Sequence, residues 1–244
     1  MINNHKVALV SGSTKGIGKA IAQQLALDGY TVVQNSRTVV SSEEIIGNDH
    51  FIADVTIENE CKELVEKVVQ KYGNLNLLVC NVGSGVALSK EVSISAMWSH
   101  FLSLNLNSTT YLVNSALASL KETRGNVVAI SSICGEDPTI NAPIGYATAK
   151  AGLEMFMKTM AARSGKEGVR FNVVSPGNVL FEGSVWDQKI KSNALEVSSY
   201  LEQHVPLGML IDPQDIAGAV SFLAGPGGRN ITGAVLPVDG GQSL

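Results

Sequence analysis

Tyr146 and Lys150 stand four residues apart in Gly145-Tyr146-Ala147-Thr148-Ala149-Lys150. On a helix, positions i and i+4 share one face. An ammonium beside a phenol favours the phenolate, so this spacing predicts a tyrosine whose pKa is lowered. Such a tyrosine serves as general acid or base nearer neutral pH. The alternative is a pair that meets through helical spacing alone, with the ring packed in the core.

A second chemical signal lies near the start, in Ser11-Gly12-Ser13-Thr14-Lys15-Gly16-Ile17-Gly18. A strand-like run, Lys6 to Ser11, precedes it, and a helical pattern of Ile17, Ile21 and Leu25 follows. Glycines let backbone approach a pyrophosphate, and the amides at a helix N-terminus meet its charge. Gly12, Ser13, Thr14, Lys15, Gly16, Ile17 and Gly18 are therefore the expected phosphate cradle of a dinucleotide. An acid at the end of the next strand would bind the adenosine ribose hydroxyls. This chain instead has Ser36 and Arg37 there, with Lys15 nearby. Two cations and no acid suit a 2′-phosphate, so NADP(H) is favoured and NAD(H) stays open. Read blandly, Lys15 and Arg37 are solvated surface charges.

These residues need a scaffold, and the pattern supplies one. Strand-like runs at 6–11, 31–36, 51–53, 75–81, 127–132, 169–175 and 234–238 alternate with helical stretches at 17–28, 57–72, 97–120 and 146–166. Alternation of this kind predicts an α/β fold with one doubly wound Rossmann-type domain over 1–244. Its sheet has about seven parallel strands, with helices on both faces. Residues 37–49 leave room for only a turn or two of helix. The segment 178–212 breaks the rhythm after a strand's C-terminal end, where open α/β sheets bind ligands. It is expected to be a helical lid over the substrate, with a packing insertion as the alternative; Trp186 reads equally as a pocket wall or as lid packing.

Composition excludes several classes. Apolar residues make up 45% of the 244 residues and charged ones only 16%, below the usual quarter. That balance suits a well-buried core and a surface partly covered by other subunits. The net charge is −4 with no basic run, which speaks against nucleic acid. No apolar run reaches the roughly 18–20 residues needed to span a bilayer, so no membrane role is expected. The N-terminus is not expected to be a signal peptide. Cys61, Cys80 and Cys134 lack CxxC spacing and read as reduced thiols of a cytoplasmic protein. His5, His50, His100 and His204 show no ligand spacing, so no metal is expected.

Taken together, the glycine turn and Tyr-xxx-Lys resemble the short-chain dehydrogenase/reductase family, in its short single-domain branch of 3-oxoacyl-carrier-protein-reductase-like chains. The likeness extends along the whole chain. Asp54-Val55 resembles the family's adenine-contacting pair, and Asn81-Val82-Gly83 stands at its Asn-Asn-Ala-Gly turn. Asn105 matches its helix asparagine, and Ile130 to Gly135 its serine segment, with Ser132 as the serine. Pro176-Gly177 matches the turn against the nicotinamide, with Val179 beyond it, and Val238 to Gly241 the C-terminal turn.

This resemblance implies roles. Tyr146 would pass a proton to or from the substrate oxygen as hydride moves. Lys150 would tune the tyrosine and hold the nicotinamide ribose. Ser132 would hydrogen-bond the substrate oxygen, and Asn105 would fix a water of a proton relay. The cofactor-binding set becomes the glycine turn with Ser36, Arg37, Asp54, Val55, Asn81, Gly83, Tyr146, Lys150, Pro176, Gly177 and Val179. Ser84, Cys134 and Trp186 are the candidate substrate contacts. A homotetramer, with a dimer as alternative, would pair the long helices. The substrate is a small-molecule carbonyl or alcohol: a 3-oxoacyl thioester on a carrier protein, with Lys121, Arg124, Arg163 and Lys166 as candidate docking cations, or a sugar, polyol or other ketone. A non-catalytic dinucleotide-binding regulator and a sugar-nucleotide epimerase are the readings from other classes.

Three departures stand out. Ser132 to Tyr146 is one residue longer than the family spacing, within Glu136 to Gly145. No threonine follows Pro176-Gly177, so Asn178 or backbone groups are expected to substitute. Val82 replaces a small alanine and is expected to pack on the adenosine side.

Overall fold

The computed structural model describes residues 5–41, 45–89, 91–137 and 142–244. Seven strands form one parallel sheet: β1 (Val7–Val10), β2 (Thr31–Ser36), β3 (Asp49–Ile52), β4 (Leu77–Cys80), β5 (Asn126–Ile130), β6 (Arg170–Pro176) and β7 (Val235–Val238). Their order is β3-β2-β1-β4-β5-β6-β7, and every neighbouring pair is parallel. The order reverses between β1 and β4, which opens a crevice at the strands' C-terminal ends.

Alternate side chains of the central strands feed two cores. On one face Val7, Leu9 and Leu78 pack with α2 (Glu58–Tyr72), α4 (Ser108–Thr123) and α5 (Ile144–Ser164). On the other, Ala8, Val10 and Val79 pack with α1 (Gly16–Leu27) and α7 (Pro213–Ala224). Strands β1, β4 and β5 at the centre of the sheet are buried on both faces, which is why they read as nearly continuous apolar runs.

The long helix expected over 97–120 is two helices, α3 (Ile94–Leu102) and α4, joined by a π-helical turn at Ser103–Asn107. Among the described residues, 37–41 and 45–48 hold no helix. Residues 178–212 are anchored where Val179 bridges Ile211, and they carry α6 (Val185–His204), kinked at Asn193. The longer loop after Ser132 falls partly on 138–141, outside the described residues. Residues 1–4, the start of the segment read as no signal peptide, also lie outside them.

Candidate active site

The C-terminal edge of the sheet forms one cleft of about 1640 Å³. Its floor is made where β4, β5, α4 and α5 converge. Asn105 is fully buried in the π-helical turn, a wider turn that aims a side chain where a regular helix would not. Its Oδ1 accepts from Ser84 N at 2.8 Å, and its Nδ2 donates to Ser84 O at 3.1 Å and Phe101 O at 3.2 Å. Lys150 Nζ donates to Ile130 O at 2.8 Å. A Cβ on Gly83 would lie 2.8 Å from Asn105 Oδ1 and 2.9 Å from Lys150 Nζ. The two groups thus converge on a point that a side chain at 83 would fill.

Tyr146 shares a hydrogen bond with the Ser132 hydroxyl, and its ring packs against Gly85. Lys150 Nζ lies 5.8 Å from the centroid of that ring. The lowered tyrosine pKa predicted from i, i+4 spacing does not appear in this state. Burial pushes the phenol up to about 12, opposed by the bond from Ser132. Burial also pushes Lys150 down to about 8, opposed by Glu154. The reason is geometric: the ammonium is turned to the Ile130 carbonyl instead of the phenol oxygen, so desolvation governs both groups.

Gly12, Thr14, Lys15 and Ile17 line the cleft, followed along its wall by Ser36, Arg37, Asp54, Val55, Asn81, Gly83, Gly177 and Val179. Other sequence-selected residues sit behind that wall. Ser13 is fully buried; its hydroxyl donates to Val10 O at 2.7 Å and accepts from Asn35 N. Its side chain therefore ties β1 to β2 and does not face the cleft. Gly16, Gly18 and Pro176 are backbone of the turn and strand. Asn81 Nδ2 donates to Ser11 O and Gly12 O at 3.1 and 3.0 Å, so it braces the glycine turn as well as facing the cleft. Val82 packs against Gly12.

The wall fits a dinucleotide. Gly16 opens α1 with φ +53°, a conformation that glycine adopts without strain. Lys15 and Arg37 are exposed, and neither makes a salt bridge among the described residues. The Ser36 hydroxyl is held by Thr38 O and His50 Nε2 at 2.6 and 2.7 Å. Asn178 lines the cleft, and its buried Nδ2 has no hydrogen-bond partner among the described residues.

At the other end, Ser84, Cys134 and Trp186 line the cleft. Trp186 packs on Tyr200 at 5.1 Å between centroids, and Lys189 Nζ lies 4.2 Å over its ring. No group of three or more metal-ligating side chains occurs among the described residues. The three cysteines form no disulfide.

Sequence reading passed over two residues. Phe181 lays its ring against Gly16, where a Cβ would be 2.8 Å from its Cε2; its sequence signal is its place just after Pro176-Gly177, where no threonine stands. Glu154 is 4% exposed and accepts from Ser131 Oγ; the signal was its spacing of eight from Tyr146.

Residues 12–243 match the family model described as enoyl-(acyl carrier protein) reductase. The chain is also 30% identical over 251 residues to 3-oxoacyl-[acyl-carrier-protein] reductase FabG of Thermotoga maritima, covering 97% of each chain. The chain belongs to the short-chain dehydrogenase/reductase family. As a short-chain dehydrogenase/reductase it is an NAD(P)-dependent oxidoreductase of ketones and alcohols. It is 31% identical to glucose 1-dehydrogenase 2 of Bacillus subtilis over 98% of this chain and 95% of that one. Its fold resembles that of the Pseudomonas aeruginosa RhlG/NADP active-site complex, with TM-score 0.87, 25% identity, and 98% and 96% of the two chains covered. No helix among the described residues is long and apolar enough to cross a membrane.

Proposed function

We propose that this short-chain dehydrogenase/reductase uses NADP(H) to interconvert a ketone and a secondary alcohol in the cytoplasm, with Tyr146 as the acid and base. The observation that carries this reading is the hydrogen-bonded pair Ser132 and Tyr146 lining the cleft, with Lys150 and Asn105 buried behind them beside Gly83. When bound, the dinucleotide supplies or accepts the hydride. It would be held by the glycine turn, with Lys15 and Arg37 on a 2′-phosphate and Asn178 toward the carboxamide.

The side chains supply the remaining chemistry. Reduction of a ketone builds negative charge on its oxygen. Ser132 Oγ and Tyr146 Oη meet that charge as preoriented donors. Burial keeps the phenol protonated at rest, so Tyr146 enters the reaction loaded as an acid. Once its proton has moved, the nearby Lys150 ammonium stabilises the tyrosinate. Asn105, beside Lys150, marks the route by which the pair regains a proton. Segment 178–212 serves as a lid that excludes water.

A 3-oxoacyl thioester is the proposed substrate, supported by whole-chain likeness to the Thermotoga reductase. One proposed docking cation is already committed, since Lys121 pairs with Glu167 at 3.1 Å. A sugar or polyol is the second reading, favoured by Gln188, Lys189, Glu202 and Gln203 along the cleft edge and by likeness to the glucose dehydrogenase.

The test is Tyr146→Phe assayed with NADPH and a panel of acyl thioesters, sugars and ketones. Turnover is expected to fall about 10²–10⁴-fold with NADPH affinity retained. Full turnover in the variant would overturn the role of Tyr146, and the best substrate decides between the two classes.

A further inference from the structure

Three consecutive residues at the end of β5 are each tied to α5. The Ile130 carbonyl accepts from Lys150 Nζ at 2.8 Å. Ser131 Oγ donates to Glu154 Oε1 at 2.6 Å. Ser132 shares its hydrogen bond with Tyr146. On α5 the partners are spaced i, i+4 and i+8, along one helix face.

Glu154 and Ser131 are each only 4% exposed. A carboxylate at that depth is costly without partners, and apolar packing at this level is already supplied by Leu153 and Met157. The turn after β5 makes room for it. A Cβ on Gly135 would lie 2.7 Å from Glu154 Oε1 and 3.1 Å from the backbone carbon of Lys150. Lys158 and Lys150 face Glu154 from its own helix, and Glu136 from the turn after β5. Cys134 of that turn faces Lys150 and Tyr146.

We propose that Glu154 is a positioning residue for the ketone/alcohol reaction. Its carboxylate holds Ser131, and through one peptide bond Ser132, in register with Tyr146, and it sets a negative charge one helical turn from Lys150. The inference rests on the reading of Ser132, Tyr146 and Lys150 as the reacting groups. Its two parts separate by substitution. Glu154→Gln keeps an acceptor for Ser131 and removes the charge, while Glu154→Ala removes both. Glu154 opposes the loss of the Lys150 proton, so removing its charge lets Lys150 deprotonate at lower pH. Reduction consumes a proton, so its rate falls on the alkaline side, and that fall moves with Lys150.

The experiment compares kcat–pH profiles of ketone reduction, NADPH affinity, and a ¹⁵N-lysine NMR titration of the nucleotide-free protein. The Lys150 resonance is identified by its loss in Lys150→Arg. Glu154→Gln is expected to keep kcat within about threefold on the acid side. Its alkaline fall and its Lys150 midpoint should both move to lower pH. Glu154→Ala is expected to lose about 10–100-fold in kcat across the profile with NADPH affinity kept. Should that variant fail to fold, Ser131→Ala carries the positioning test, with a kcat loss of about tenfold. A Glu154→Gln profile and Lys150 midpoint that superimpose on the parent overturn the charge effect. A parental kcat in Glu154→Ala or Ser131→Ala overturns the positioning. Failure of the underlying reading shows separately, as a Tyr146→Phe protein that still turns over.

Discussion

Lys15 and Arg37 are the residues on which the choice of dinucleotide turns. Both are exposed at the cleft, and β2 ends without an acid beside them. A 2′-phosphate carries charge that each can meet, whereas a bare ribose offers neither cation a partner. Arg37→Ala and Lys15→Ala are each expected to weaken NADPH binding by about 5–20-fold, one charge-assisted contact each, and to leave NADH binding unchanged. Titration of nicotinamide fluorescence measures this, and equal losses for both nucleotides would remove the 2′-phosphate argument. Of the proposed reacting groups, Tyr146 and Lys150 stood out in sequence by their spacing of four, and Ser132 only through the family resemblance. The resting pKa of Tyr146 did not. It is set first by burial of the phenol, which helical spacing does not show, and the Lys150 ammonium is bonded to the Ile130 carbonyl, twenty residues distant in sequence. Glu154 was hidden for a similar reason, since a helical pattern shows a charge but not its burial.

At the scale of elements, the alternation of strand and helix could be read from the chain because a parallel sheet buries both faces and keeps its strands uniformly apolar. Residues 213–224 stayed unassigned in that pattern, yet they form α7. The local signal is its cap: Asp212 accepts from Gln214 N at 2.8 Å, Asp215 returns the bond to Asp212 N at 3.0 Å, and Pro213 opens the helix. Asp212→Ala is expected to cost about 1 kcal/mol, seen as a melting temperature about 2–4 °C lower. A melting temperature equal to the parent's would mean that packing alone holds α7. The π-helical turn at Asn105 was illegible for a different reason. Its residues carry ordinary helical spacing, and the Ser84 backbone that Asn105 binds lies twenty-one residues away in sequence.

At the scale of the whole molecule, the low charge content has a counterpart on the surface. Ile94, Ile144 and Met155, on α3 and α5, are 76%, 66% and 64% exposed. A homotetramer pairing the long helices would cover such positions. Sedimentation equilibrium is expected to give four chains, and Met155→Glu should shift the protein toward smaller species; a monomer at micromolar concentration would end this reading.

The packing of α7 on α1 reaches beyond stability. These helices share one core, and Ser221 Oγ donates to Asp28 Oδ2 at 2.6 Å across 193 positions of chain. The glycine turn leads straight into α1, whose apolar face, Ile21 and Leu25, has α7 as its cover. During synthesis the ribosome releases that face long before its cover exists. A helix translated nearly first therefore waits for the last α-helix of the chain before this face is covered.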